Sequence, residues 1–347
     1  MEHLHPLDAF YDALNPVFLT GAIVVLLAIL GKAADGLVDE AVVLSERFGL
    51  PKIVIGATVV SLGTTMPEAA VSVLAAVQGN PGLALGNAVG SVICDTGLIL
   101  GIACLIAPPL LPRQIVNRQG WLQFAAGFLL VAACWPWAGP LDVFQGGGGN
   151  LSQTAGFVFL ALLAGYLWLS VHWSRNIQTD GAADAFEHDS TASSLYAGVK
   201  FVIAILLVVG SSWALIPAVK EAAQRLGVPE GIIAATLVAF GTSLPELVTA
   251  VTASRRGHGD LAVGNIIGAD ILNILFVAGA AAAVTPAGLT AGPEFFQFLF
   301  PAMLGVLIVF RVGTLVCPER LPRPFGVVLL VVYVIAIGLC FKVLVGE

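Results

Sequence analysis

The sequence predicts an all-α, polytopic membrane protein that crosses the bilayer about ten times, in two five-helix halves of inverted topology. Three observations carry this. Of its 347 residues, 58% are apolar and only 11% charged, against about 25% charged in a typical soluble domain. The mean hydropathy is +0.96, and the apolar residues gather into stretches of the roughly 20 residues that a helix needs to cross the hydrocarbon core. Finally, one polar motif occurs twice at a fixed spacing.

The same composition excludes other classes. Fifteen basic and 22 acidic residues give a net charge of −7 with no basic cluster, so there is no electrostatic footprint for nucleic acid. The cysteines (Cys94, Cys104, Cys134, Cys317, Cys340) lie in or beside apolar runs without a C-x-x-C pair, and read as small buried hydrophobes. The start, Met1 to Pro6, lacks the basic segment of a cleavable leader, so the first span is expected to be retained.

Taken in order, the expected spans are about 17–44, 52–78, 81–107, 121–139 and 154–173, then 196–223, 229–254, 259–285, 294–311 and 324–343. The first is apolar to Leu30 and then mixed; Asp35, Asp39 and Glu40 read there as an interfacial polar turn. The extended polar stretch 174–195 divides residues 1–173 from residues 196–347. Its Arg175, Asp180, Asp184, Glu187, His188 and Asp189 lack the spacing of an EF-hand and read as a solvated linker.

Cytoplasmic loops are enriched in Lys and Arg. Arg47, Lys52, Arg113, Arg118, Arg175, Arg255, Arg256, Arg311, Arg320 and Arg323 all follow odd-numbered spans. That places both termini outside and the linker in the cytoplasm. An odd number of spans per half makes the second half enter from the opposite side.

Residues 47–101 match residues 225–279 without a gap, within repeats of about 47–107 and 225–285. Arg47, Gly49, Pro51, Thr58 and Val60 recur as Arg225, Gly227, Pro229, Thr236 and Val238. Gly63-Thr64-Thr65-Met66-Pro67-Glu68 recurs as Gly241-Thr242-Ser243-Leu244-Pro245-Glu246, and Gly86-Asn87, Gly90 and Gly101 as Gly264-Asn265, Gly268 and Gly279. Chance similarity of apolar stretches would match Leu and Val instead. Inverted repeats of this kind serve alternating access around a midplane site.

Glu68 and Glu246 fall near the middle of spans 2 and 7, where ionisable groups face the bundle interior and mark ion pathways. Each follows a proline, which removes a backbone N–H and clashes with the carbonyl four residues earlier, at Gly63 and Gly241. The Gly-Thr-Thr and Gly-Thr-Ser segments ahead of the prolines place hydroxyls and freed carbonyls beside the carboxylates. Asp95 and Asn273 follow the glutamates by the same interval, near the middle of spans 3 and 8. Gly86, Gly90, Gly264 and Gly268 let those spans pack closely. Three carboxylates, an amide, hydroxyls and carbonyls make an all-oxygen set without His or Cys, suited to hard cations such as Ca²⁺ or Na⁺.

These segments, with G-N-A-V-G-S-V-I-C-D and G-N-I-I-G-A-D-I-L-N, resemble the α-repeats of the cation/Ca²⁺ exchanger superfamily, which includes Na⁺/Ca²⁺ exchangers. The resemblance implies a core of spans 2, 3, 7 and 8, with spans 1 and 6 moving across it. It assigns Glu68 and Glu246 as the paired Ca²⁺ ligands, with Thr64, Thr65, Thr242 and Ser243 beside them. Asp95, Asn273 and the Ser91 hydroxyl, with the backbone carbonyls of Ser61 and Ala239, match further ion ligands. Three positions depart from the pattern. Asp95 and Asn273 look exchanged between the repeats. Ala269 replaces the hydroxyl expected opposite Ser91. Asp270 stands where the family usually has Asn, and is either a structural hydrogen-bonder or an added proton-binding group.

The expected activity is exchange of Ca²⁺ for Na⁺, without a cofactor, in the cell (inner) membrane, with inorganic cations and lipid as partners. Exchange of Ca²⁺ for H⁺ on the same carboxylates is the alternative. An intramembrane protease is excluded by depth: Asp12 sits in a polar leader and Asp260 beside Arg255 and Arg256, whereas two catalytic aspartates must meet inside the membrane. A channel would share these ion ligands, but broken helices in two inverted halves favour a transporter.

Overall fold

In the computed structural model, the residues described are 6–137, 139, 143, 147–175, 194–226 and 241–345. After a short helix over Asp8–Asp12, α1 runs Pro16–Phe48. It is capped at its start by the Asn15 side chain and ended by Gly49 in the left-handed region at φ 61°, a common helix stop. α2 (Lys52–Thr64) and α3 (Met66–Val77) form one span bent by 44°. α4 (Pro81–Ile106) follows, then α5 (Arg113–Cys134). α5 starts eight residues before the apolar stretch expected from the sequence. It stops at Trp135, whose ψ of 132° is extended, because the following Pro136 disfavours the helical conformation there.

α6 (Gln153–Arg175) completes the first half, and the second holds α7 (Ser194–Arg225), α8 (Leu244–Arg255), α9 (Gly259–Ala283), α10 (Phe295–Val316) and α11 (Arg323–Val345). Among the described residues, six helices are long and apolar enough to cross a membrane, seven if the bent pair counts as one span. The chain is therefore a multi-pass membrane protein. Residues 227–240, including the first part of the expected seventh span and Ala239, lie outside the described residues, as does most of the 174–195 linker.

Burial separates the helices by role. α9 and α4 are the most enclosed, with 89% and 72% of their most apolar stretches buried, whereas α1 has only 22%. α1 and α7 pack along each other and turn Val24, Val25, Leu27, Val202, Leu206 and Leu207 outward, as a lipid-facing pair would. α2 crosses α9 at backbone contact. A methyl group added to Gly56 would lie 2.5 Å from the Leu261 carbonyl, and one on Gly268 would lie 2.5 Å from both the Ala57 carbonyl and the Ser61 hydroxyl. Gly264 is pressed in the same way against the backbone of Ile53. Gly86 and Gly90 meet nothing so close among the described residues; the second-half counterparts of Ile53 and Ala57 lie within 227–240.

Two small ribbons join the halves. β1 (Gly149–Leu151) pairs antiparallel with β2 (Leu289–Ala291), Asn150 opposite Thr290. A bridge between Leu110 and Arg320 is reinforced by the Leu111 N–H donating to the Glu319 carbonyl over 2.8 Å.

Candidate cation-binding site

The site begins at the two helix breaks. Thr65, between α2 and α3, has φ −80° and ψ 0°, and Pro67 opens α3 with Glu68 in its first turn. Ser243 ahead of α8 has φ −81° and ψ 10°, and Pro245 and Glu246 follow in the same way. Each carboxylate therefore sits at the N-terminal end of a half-helix, where exposed N–H groups and the helix dipole favour negative charge. Both glutamates are fully buried.

The two breaks face each other and exchange hydrogen bonds. The Ser243 hydroxyl donates to Glu68 Oε1 over 3.3 Å, and the Thr65 hydroxyl donates to Glu246 Oε1 over 3.2 Å. Longer contacts follow the same reciprocity: Thr64 Oγ1 to Asn265 Oδ1 and Thr242 Oγ1 to Asn87 Oδ1, each 3.5 Å. Asn87 also donates to the Glu68 carbonyl over 3.3 Å and to Ser72 over 3.0 Å, which ties α3 to α4.

α4 and α9 each carry a wide π-helical turn, at Cys94–Ile99 and Asn273–Ala278. Such turns recur at functional sites because they re-aim side chains out of the regular helical stagger. Asp95 and Asn273 stand in them, and the Asn273 amide donates to Asp95 Oδ2 over 3.2 Å. Glu68, Asp95 and Glu246 are all fully buried. Among the described residues no three His, Cys, Asp or Glu side chains form a compact metal-holding group. The immediate neighbours of each carboxylate are hydroxyls and amides, so any ion is shared among mixed oxygen ligands.

Among the described residues, five buried oxygens in this region have no hydrogen-bond partner: Glu68 Oε2, Glu246 Oε2, Asp95 Oδ1, Asn273 Oδ1 and Ser91 Oγ. An acceptor left unmet in the interior costs about 1–3 kcal/mol, more when charged; a cation would relieve several at once. Ser61 is placed differently. Its carbonyl already accepts from the Thr65 N–H at 2.9 Å and from the Thr64 hydroxyl at 3.4 Å, so an ion there has to displace one of them. Ala239 is outside the described residues.

Asp270 faces a separate partner set. Gln123 Nε2 donates to its Oδ2 over 2.5 Å and the Thr96 hydroxyl donates to the same oxygen. Reading the sequence for ions at membrane depth missed Gln123 and Thr96, because neutral side chains carry no such signal. Asn87 and Asn265 had one, the repeated Gly-Asn pair, but were not singled out as part of the site.

The model of the family described as sodium/calcium exchanger protein matches residues 18–172 and 196–342 of this chain. The chain belongs to that family. Its members are membrane antiporters, not enzymes. Inner membrane protein YrbG of Escherichia coli is 32% identical over 88% of this chain and 90% of its own length. Sodium/calcium exchanger MaX1 of Methanosarcina acetivorans is 29% identical over 91% of this chain and 97% of its own. A solved structure of the sodium-calcium exchanger NCX_Mj, soaked with 10 mM Na⁺ and zero Ca²⁺, superposes with a TM-score of 0.77 at 26% identity. It covers 93% of this chain and 98% of that one.

Proposed function

We propose that this exchanger-family chain is a secondary active antiporter that expels Ca²⁺ in exchange for Na⁺. The observation that carries the reading is the set of unpartnered buried oxygens on Glu68, Glu246, Asp95 and Asn273, contributed by both halves around two facing helix breaks. Glu68 and Glu246 are the main Ca²⁺ ligands, with Thr64, Thr65, Thr242 and Ser243 completing their shell. Asp95, Asn273 and Ser91, with carbonyls at Ser61 and Ala239, serve mainly Na⁺, which also draws on the two glutamates. Because the two ions need the same oxygens, binding one expels the other, which is the physical requirement for exchange. Ten spans in two inverted halves, with the linker cytoplasmic and both termini outside, then give alternating access as α1 and α7 slide past the core.

One observation favours Ca²⁺/H⁺ exchange as the second reading. Asp270 is a fully buried carboxylate at a position where the resemblance leads one to expect an amide. The experiment is Ca²⁺ flux in proteoliposomes, driven in turn by a Na⁺ gradient and by a pH gradient. Na⁺-driven uptake is expected; uptake driven by pH alone overturns the first reading, and no flux under either overturns both.

A further inference from the structure

Away from the ion site, one buried charge has no counter-charge. Arg311 on α10 is 4% exposed, and among the described residues no carboxylate lies within ion-pair distance of it. Its guanidinium is held in place by neutral groups. It stacks over the Trp121 ring at 4.5 Å, Nη1 donates to the Thr314 hydroxyl over 3.3 Å, and Nη2 donates to Asn117 Oδ1. Nε has no partner. α5 makes room for it at Gly120, where a methyl group would come within 3.0 Å of Nη1. A buried cation left without an anion is expensive, yet this one is positioned on three sides.

The fourth side is a cleft of ≈ 100 Å³ between α5 and α10, lined by Arg113, Asn117, Arg311 and Thr314 with Val116, Leu315 and Pro318. Arg113 is exposed and likewise has no acidic partner among the described residues. The loops after α4 and α10 are pinned together at this end by the Leu110–Arg320 bridge. That gathers Arg113, Arg118, Arg311, Arg320 and Arg323 against Glu319, the one acidic residue in those two segments. The rim is apolar and outward-facing: Val312, Leu315 and Trp121 are each about half exposed.

We propose that this cleft binds a phosphate-bearing anion, with Arg113 and Arg311 as its cationic clamp and Asn117 and Thr314 as neutral partners. Two guanidiniums suit an oxyanion because their planar N–H pairs match adjacent oxygens. Basic pockets between membrane helices take lipid headgroups by the same chemistry. The phosphate is that of an anionic phospholipid, whose chains would lie on the apolar rim, or free inorganic phosphate.

The test uses the full chain in nanodiscs of phosphatidylcholine. Either phosphatidylglycerol is added in steps or inorganic phosphate is titrated at constant ionic strength, with thermal stability and mass-resolved lipid retention as readouts. Saturable stabilisation by phosphatidylglycerol alone assigns the site to lipid, and by inorganic phosphate to a free anion. In either arm Arg113→Gln should bind about tenfold more weakly, the loss of one charge-assisted interaction. Arg311→Lys should weaken binding too. Arg113 is exposed, so its replacement leaves the fold intact even where changes at Arg311 do not. No saturable effect in either arm, or an undiminished one in Arg113→Gln, overturns the proposal.

Discussion

Asn273 donates its amide to Asp95 across 3.2 Å, and the two residues stand 178 positions apart. That interval is the spacing of the whole repeat, so acid and amide occupy the same position in each half and meet where the halves meet. Exchanging them preserves the chemistry of the pair. The double variant Asp95→Asn/Asn273→Asp is therefore expected to retain Na⁺-coupled Ca²⁺ flux. Asp95→Asn alone should weaken Na⁺ activation by about tenfold or more, the worth of a charged ligand. Na⁺-dependence curves in proteoliposomes measure both, and a double variant as impaired as the single one would contradict the pairing.

The glutamates make a harder prediction. Glu68→Gln and Glu246→Gln should each abolish Ca²⁺ transport while the protein still inserts and stays monodisperse in detergent. The reciprocal bonds from Ser243 and Thr65 add a symmetry test. Thr65→Ala and Ser243→Ala each remove one hydroxyl bonded to a carboxylate, worth about 1.5–3 kcal/mol, so Ca²⁺ affinity should fall by about ten- to a hundredfold in both. A large effect in one and none in the other would show that the two breaks are not equivalent.

Much of this architecture was legible in the chain, and the gaps have physical reasons. Glu68, Glu246 and Asp95 stood out because charge in a lipid-soluble stretch needs a purpose, and the prolines before the glutamates located the helix breaks. Asn87 and Asn265 were less visible, since an amide in an apolar run carries no formal charge. Gln123 and Thr96 were invisible as partners of Asp270, because their closeness depends on how α5 packs beside α4 and α9. The start of α5 was also missed: Arg113, Asn117 and Arg118 are too polar for an apolar window, although they continue the same helix.

Packing at the crossing of α2 and α9 predicts a stability effect without loss of ligands. Gly268→Ala would drive a methyl into the Ala57 carbonyl and the Ser61 hydroxyl, an overpacking cost of about 1–3 kcal/mol. Gly21→Ala on α1 meets nothing within 4 Å and should be neutral. Thermal unfolding in detergent should separate the two, with the melting temperature lowered only in Gly268→Ala.

A pH effect is expected at the end of the bundle where α9 begins. His258 Nδ1 lies 3.2 Å from the Lys52 ammonium, which donates to the neutral ring. Partial burial, followed by the Lys52 charge, lowers the imidazole's pKa, with Arg256 acting in the same direction and Asp260 and Asp39 opposing. A histidine whose pKa falls on folding stabilises the fold above its unfolded pKa, and that contribution is lost as pH drops through the folded value. Acidification below about 6.5 should thus lower the melting temperature more in the wild type than in His258→Asn. Equal losses would remove His258 from the account.

The two ribbons at opposite ends have a mechanical consequence. Leu110 with Arg320, and β1 with β2, each join a loop of the first half to a loop of the second. A clamshell opening would tear both latches, whereas α1 and α7 carry neither. If α1 and α7 move as proposed, the two ribbons hold the frame past which they slide, so locking α1 to α2 should stop turnover, while locking the two ribbons should leave it running.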